Sequence, residues 1–166
     1  MIINSRLLNL KIILTIVFLT VPLTVYSNCN CETINRDDGV TIKVCEPKPI
    51  FGDESLEVAI SILNDGLNYY VSSNIKFERS LQKIMGNMIV RFSNNEMITF
   101  TVIDSQIALI DGREIAQSIY YVEEFVMNTL KEEDLSTISF RLEDQVLRTY
   151  EVLDNKGVLK EQLKCI

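Results

Sequence analysis

Four cysteines are the residues of this chain with the most chemistry to offer. Cys29 and Cys31 stand two positions apart, and Cys45 and Cys165 follow later in the sequence. Thiolates can form redox couples or bind soft metals such as copper(I) and zinc. A ring closed by cysteines two apart is strained, however, and no lysine or arginine adjoins the pair to activate a thiol. We therefore interpret the four cysteines as two structural disulfides.

A turn between the first cysteines predicts how they pair. Asp37-Asp38-Gly39 is typical of a three-residue hairpin loop, which makes Arg36 face Val40 on the opposite strand. Counting outward from that pair brings Cys31 opposite Cys45. Directly opposed residues on antiparallel strands lie within the span of a disulfide.

This arrangement leaves Cys29 to bond with Cys165. Pairing Cys29 with Cys45 and Cys31 with Cys165 needs only a two-residue slip in register and stays as the alternative. Pairing Cys29 with Cys31 and Cys45 with Cys165 ranks third because of the ring strain.

Carboxylates are the next candidates for chemistry. Asp37-Asp38-Gly39 offers oxygen ligands on a tight loop, but it lacks the alternating acids and distant glutamate of a calcium loop, so we interpret it as a turn. Asp104 with Asp111, or the run Glu132-Glu133-Asp134, would supply a two-carboxylate hydrolase if a pair came within ~5–9 Å. A solvated helix end is the commoner fate of such an acidic run. We assign no catalytic residue, metal site or cofactor.

Two tyrosine pairs, Tyr69-Tyr70 and Tyr120-Tyr121, are the candidates for a partner surface. Neighbouring residues of a strand face opposite sides of a sheet, so one member of each pair should point away from the core. Outward tyrosines on one sheet face would bind a protein or a glycan. The alternative is that both faces are covered and all four rings lie in the core.

The composition excludes several classes of function. Histidine and tryptophan are absent from all 166 residues, which removes imidazole-based catalysis and metal binding and the strongest stacking side chain. The chain carries 16 basic and 23 acidic residues and a formal charge of −7. Such an acidic protein repels phosphate backbones and anionic lipids, so we expect no nucleic-acid partner.

Residues 1–27 have the pattern of a secretion signal. Arg6 and Lys11 precede an apolar run over 12–21, which Pro22 ends, and the segment closes on Val25-Tyr26-Ser27. The run is about half the ~20 residues that cross a bilayer, so we expect no membrane span. A lipid anchor on Cys29 is an alternative, although Tyr26 and Asn28 do not suit a lipoprotein signal. Residues 28–166 are then one exported, secreted or periplasmic, disulfide-bearing globular domain.

Beyond the leader, alternating apolar residues and turn signals predict a series of β-hairpins. The two strands of the clearest one place Leu56 to Ile62 and Tyr69 to Phe77 on one core. The expected strands lie at 32–44 (around the turn at 37–39), 56–62, 69–77, 88–92, 97–103, 107–110, 115–122, 138–142 and 146–152. Pro47 and Pro49 predict an extended connector that ends the first ladder.

Two short helices complete the expected fold. Helical spacing of Phe125, Val126 and Leu130 predicts an amphipathic helix over 123–133, and a second helix is expected near 155–164. The fold class is therefore α+β and mainly antiparallel. Hairpins that pair with their sequence neighbours predict a meander curling into a sandwich or half-barrel, with the helices covering an open face or edge.

Short patterns are spread along the whole expected mature chain: Cys29-Asn-Cys31-Glu-Thr, Asp37-Asp38-Gly39, Cys45 with Pro47 and Pro49, Thr137-Ile-Ser-Phe140 and Leu163-Lys-Cys165. Together they resemble small secreted bacterial proteins of unknown function that have a Cys-x-Cys mature N-terminus and a C-terminal cysteine. The resemblance implies an exported, disulfide-bearing domain and no particular activity.

These observations favour a non-catalytic secreted or periplasmic binding protein with a protein or glycan partner. Two alternatives stay open. One is an inhibitor or immunity-type protein whose acidic face blocks a basic enzyme cleft. The other is a histidine-free hydrolase that uses paired carboxylates, which a pocket holding two carboxyl groups of raised pKa would favour.

Overall fold

A computed structural model describes residues 30–36, 39–110 and 112–166 of the chain. Strand follows strand through most of the sequence, and the helices come late, as the alternation of apolar residues predicts. The elements are β1 (Cys31–Asn35), β2 (Thr41–Cys45), β3 (Lys48–Gly52), β4 (Leu56–Asn64), β5 (Tyr69–Phe77), β6 (Ile84–Phe92), β7 (Met97–Ile110), β8 (Arg113–Val122), α1 (Met127–Glu132), β9 (Leu135–Leu142), β10 (Leu147–Glu151) and α2 (Val158–Gln162).

The strands form one mainly antiparallel sheet that is not closed, which confirms the α+β class. Six of the ladders join consecutive strands: β1–β2, β3–β4, β4–β5, β6–β7, β7–β8 and β9–β10. The full order is β1-β2-β4-β5-β8-β7-β6-β9-β10, with β3 beside β4. The order departs from a simple meander because β9 returns to lie beside β6, which gives the 9-6-7-8 arrangement of a Greek key.

The hairpin of β4 and β5 has the predicted inward faces. Leu56 pairs with Phe77 and Asn64 with Tyr69. The alternate apolar residues of both strands point into one hydrophobic core, where Ile60 is fully buried. That core also takes side chains from β6, β8, β9 and both helices. The face assignment made from the alternation is therefore confirmed.

One strand replaces two that the sequence predicted separately. The expected strands 97–103 and 107–110 are continuous in β7, which spans 14 residues. Its first residues pair with β6, and those from Thr101 onward pair with β8. The polar residues between the two halves stay in the strand because their side chains have partners. Ser105 donates to the carbonyl of Ile84 at 2.5 Å, and Gln106 donates to Gln117 at 3.2 Å.

The segment that begins after Pro47 corrects a second expectation. Lys48–Gly52 is a strand and not only a connector, and it pairs with the outer edge of β4. Pro49 is compatible with this position because β3 is an edge strand and the register shifts between Pro49 and Phe51. Proline lacks the N–H that a central strand would need, and such edges and bulges are where it is tolerated.

The first predicted disulfide is present. Gly39 has φ 83° and its N–H donates to the carbonyl of Arg36 at 3.0 Å, which closes the expected turn. Counting outward, Cys31 pairs with Cys45, and the two are bonded. Cys165 is also disulfide-bonded. Cys29 lies outside the described residues, so its bridge to Cys165 stays a prediction.

Both helices lie where the sequence places them, although each is shorter than expected. A 3-10 turn over Glu124–Val126 precedes α1, and α2 covers five residues. Val126, Leu130, Val158 and Leu159 bring the apolar sides of these elements into the core. None of the helices in the described ranges has the length and apolar character needed to cross a membrane.

Gln162, a buried glutamine, hydrogen-bonds the part of the β4 edge that lies between the ladders with β3 and β2. The paired partner of β4 changes from β3, opposite Ile60, to β2, opposite Leu63. Between them, the N–H of Ile62 donates to Oε1 of Gln162 on α2 at 2.8 Å. The Nε2 of Gln162 donates to the carbonyl of Glu46 at 2.8 Å. The side-chain amide of Gln162 therefore pairs with two backbone groups, the N–H of Ile62 and the carbonyl of Glu46.

Candidate functional site

Two of the four predicted tyrosines meet on the sheet face that points away from the core. Tyr70 of β5 and Tyr121 of β8 are register partners, and their ring centroids lie 6.1 Å apart in an edge-to-face arrangement. Tyr69 is half-buried and packs against the core. Tyr120 is fully buried, so its assignment to a partner surface is wrong. Strand alternation explains this outcome, because Tyr120 shares the inward face of β8 with Ala116 and Val122.

Asp65, in the turn between β4 and β5, holds Tyr70 in place. The Tyr70 hydroxyl donates to Asp65 at 2.6 Å. The same carboxyl group accepts the backbone N–H of Leu67 at 2.9 Å and of Asn68 at 2.7 Å. The hydrogen bond from Tyr70, followed by those from the backbone, lowers the pKa of Asp65 to about 2. The hydrogen bond to Asp65 in turn raises the pKa of Tyr70. Charge-assisted bonds of this kind fix the ring's position.

Two adjoining depressions surround Tyr121. We call the first the aromatic groove. It lies between the β4–β5 turn and the start of α1, and its lining includes Leu67, Tyr69, Tyr121, Met127 and Lys131. The exposed fractions of Leu67 and Tyr121 are 88% and 37%. The volume of about 670 Å³ is enough to receive side chains from a partner.

We call the second depression the acidic pocket. Tyr121, Glu123, Glu124 and Phe125 line it. Tyr121 and Glu124 line both depressions, so together they form the ridge between them. The two hollows are therefore parts of one continuous surface.

The local backbone explains why Phe125 belongs to this surface. The periodicity predicts a helix from 123 in which Phe125 shares an apolar face with Val126. Residues 124–126 instead form a 3-10 turn, in which the N–H of Val126 bonds to the carbonyl of Glu123 at 3.0 Å. Val126 takes the inward position, and Phe125 is 71% exposed. The prediction that Phe125 lies on a buried helix face is therefore wrong.

Glu123 and Glu124 face solvent without a cationic partner. In the described ranges of the chain, neither carboxylate takes part in a salt bridge or a side-chain hydrogen bond. Lys131 lines the aromatic groove but not the acidic pocket. The pocket therefore combines two aromatic rings with two unpaired negative charges.

Of the other acidic candidates, two that the structure describes, Glu133 and Asp134, bind different partners. Asp37, Asp38 and Asp111 lie outside the described residues. Glu133 accepts a hydrogen bond from the Ser93 hydroxyl at 2.5 Å, and Asp134 forms a salt bridge with Lys160 at 2.7 Å. In the part of the chain that is described, no group of three or more cysteine, aspartate or glutamate side chains is placed to hold a metal.

Every resolved pKa shift of a carboxyl group in the described ranges is downward. The groups are Glu46, Asp53, Asp65, Glu78 and Asp144. Hydrogen bonds cause the largest part of each shift, because donors favour the ionised carboxylate. A general acid of the hydrolase alternative needs the opposite shift, so these groups give that alternative no support.

Replacement of Asp65 by asparagine should lower the pKa of Tyr70 toward its ordinary value. The substitution weakens the charge-assisted hydrogen bond that raises this pKa and removes the negative charge that opposes ionisation of the phenol. Ring NMR of isotope-labelled tyrosine follows this titration, and Tyr70→Phe identifies the signal. Asp154→Asn, which changes an exposed carboxylate in another turn, should leave it in place. An unchanged Tyr70 titration in Asp65→Asn would contradict the proposed role of the turn.

Comparison with known proteins adds no relative. None of the protein-family models, curated proteins or solved structures compared with the chain matches it. The function must therefore be argued from the surface itself.

Proposed function

We propose that this protein is an exported, non-catalytic binding protein that holds a protein partner on the aromatic groove and acidic pocket. The observation that carries the proposal is the grouping of Tyr121, Phe125 and Leu67 at one end of the sheet, all exposed. Exposed apolar and aromatic side chains that lie together on one surface are typical of interaction sites. Single scattered apolar residues would not support the same conclusion.

The site also has the rigidity that a binding surface needs. Tyr70 is held by Asp65 and supports Tyr121 from the side. A partner therefore meets a preformed ring and does not have to order it, which lowers the entropy cost of binding. The curl of the sheet into a half-barrel, with one core enclosed by both of its halves, would give these side chains a stable base.

Export of the chain is part of the proposal. The leader pattern of residues 1–27 supports it, and so does the Cys31–Cys45 bridge, because disulfides persist in oxidising compartments. An inhibitor or immunity-type protein is a more specific form of the same function. Glu123 and Glu124 beside exposed rings favour this form, since such a surface complements a basic cleft.

The test uses protein exported from the full sequence as bait against the secretome of its natural source. A captured protein is purified, and its affinity is measured for the parent and for Tyr121→Ala/Phe125→Ala. We expect the double variant to bind at least about tenfold more weakly, because aromatic anchors carry most of the energy of an interface.

Val146→Ala/Leu153→Ala is the matched control. Its two apolar side chains are each 54% exposed and line neither depression. It should bind like the parent. Equal affinity of the parent and Tyr121→Ala/Phe125→Ala would exclude the aromatic groove and acidic pocket as the partner surface.

A further inference from the structure

We infer that the acidic pocket receives the guanidinium or ammonium group of an arginine or lysine side chain. This inference rests on the proposed function, since it names the chemistry by which the protein partner is recognised. It assigns separate roles to the two depressions. The acidic pocket binds a cation, and the aromatic groove binds the neighbouring apolar residues of the same partner.

The lining of the pocket carries the argument. Two residues with aromatic side chains, Tyr121 and Phe125, and two with carboxylates, Glu123 and Glu124, line one shallow, open depression. A cation near an aromatic ring is attracted by the negative face of the ring. A carboxylate beside the ring adds a direct charge attraction and accepts the hydrogen bonds of the cation. Guanidinium and ammonium groups use both interactions at once.

Charge complementarity excludes the other occupants. An anion would meet two carboxylates that have no cation beside them in the described ranges of the chain. A purely apolar side chain would cover those carboxylates without giving them hydrogen bonds, which costs free energy. A hard metal ion needs six or more oxygen ligands or waters in a defined geometry, and here two of the four lining residues offer carbon rings.

The two carboxylates of the acidic pocket are not engaged by other side chains of the described structure. Neither Glu123 nor Glu124 is needed for a side-chain contact elsewhere in the described structure. Both side chains are exposed, and Lys131, the cation nearest in the chain on α1, lines the aromatic groove and not the pocket. The two negative charges are therefore available to a partner.

A peptide pair tests the inference directly. The probes are fluorescein-labelled peptides of alternating glycine and arginine, and the same peptides with citrulline, the neutral isostere of arginine. Binding to the full exported protein is followed by fluorescence anisotropy at low salt. We expect the arginine peptide to bind and the citrulline peptide to bind at least about fivefold more weakly, in line with a combined cation–π and ion-pair contribution.

Matched variants locate the binding. Glu123→Gln/Glu124→Gln should weaken the arginine peptide about fivefold. Glu143→Gln/Glu151→Gln removes the same charge from exposed positions that line neither depression, and it should bind like the parent. Tyr121→Phe should keep the binding, and Tyr121→Ala should lose it. Thermal melting verifies that each variant is folded.

Two results with the peptides would overturn the inference. One is equal binding of the arginine and citrulline peptides. The other is equal weakening by the two glutamine double variants, which would indicate a general attraction to an acidic protein. If the purified partner loses affinity in Tyr121→Ala/Phe125→Ala but not in Glu123→Gln/Glu124→Gln, the proposed function stands and the cation pocket does not.

Discussion

Ile60→Asp should destabilise the protein by at least about 4 kcal/mol, enough to prevent accumulation of folded material. Ile60 is fully buried in the core beneath β4. The substitution removes the transfer free energy of the side chain, leaves a cavity and places an unpaired carboxylate in an apolar environment. Chemical denaturation of the exported protein measures the loss. If Ile60→Asp does not fold at all, Ile60→Ala should still be measurable, with a loss of about 2–5 kcal/mol.

Thr99→Asp is the matched control for this prediction. Thr99 is an exposed residue of β7, so the same charge is added to a strand without being buried. Its effect should stay within about 1 kcal/mol, which is the span of residue preferences for a strand. A melting curve of Ile60→Asp that matched the parent would contradict the assignment of β4's inward face.

Gln162→Leu should cost about 2–6 kcal/mol, which is the second largest effect we expect. Gln162 is 7% exposed and serves the N–H of Ile62 and the carbonyl of Glu46. Leucine is of similar size, so it fills the space but leaves both backbone groups without partners. A buried group that loses its hydrogen bond carries its full desolvation penalty of about 1–3 kcal/mol.

Gln106→Leu separates this effect from a general effect of removing glutamine. Gln106 lies on an exposed position of β7, and its side chain bonds only to Gln117 among the described residues. Equilibrium denaturation should show a change within about 0.5 kcal/mol. Equal, small losses of stability in the two variants would show that water can replace Gln162 as the partner of the Ile62 N–H and the Glu46 carbonyl.

The hairpins could be predicted because their signals are local. Alternation fixes which residues of a strand face inward, and Ile60 and its neighbours follow it. The loop around Gly39 fixes the register of the strands that flank it, and this local signal is enough to predict Cys31 opposite Cys45. The same rule predicts that one tyrosine of each pair faces outward, and in the structure these are Tyr70 and Tyr121.

Contacts between residues far apart in the sequence could not be predicted from local patterns. The residues around β6 give no local signal that β9 pairs with it. The residues around Gln162 give no signal that the N–H of Ile62 lacks a strand partner. The apolar spacing misplaces Phe125 because residues of a helix are about 100° apart, so Phe125 lies about 140° from Leu130 around the axis. Residues 124–126 form a 3-10 turn in which Val126 is buried and Phe125 is exposed.

The continuity of β7 has a consequence for how the molecule opens. Residues 97–100 pair with β6 and those from Thr101 onward pair with β8, so one unbroken backbone belongs to both ladders. Side chains from both ladders also pack into one core. We therefore expect the two ladders to open together and not as separate foldons.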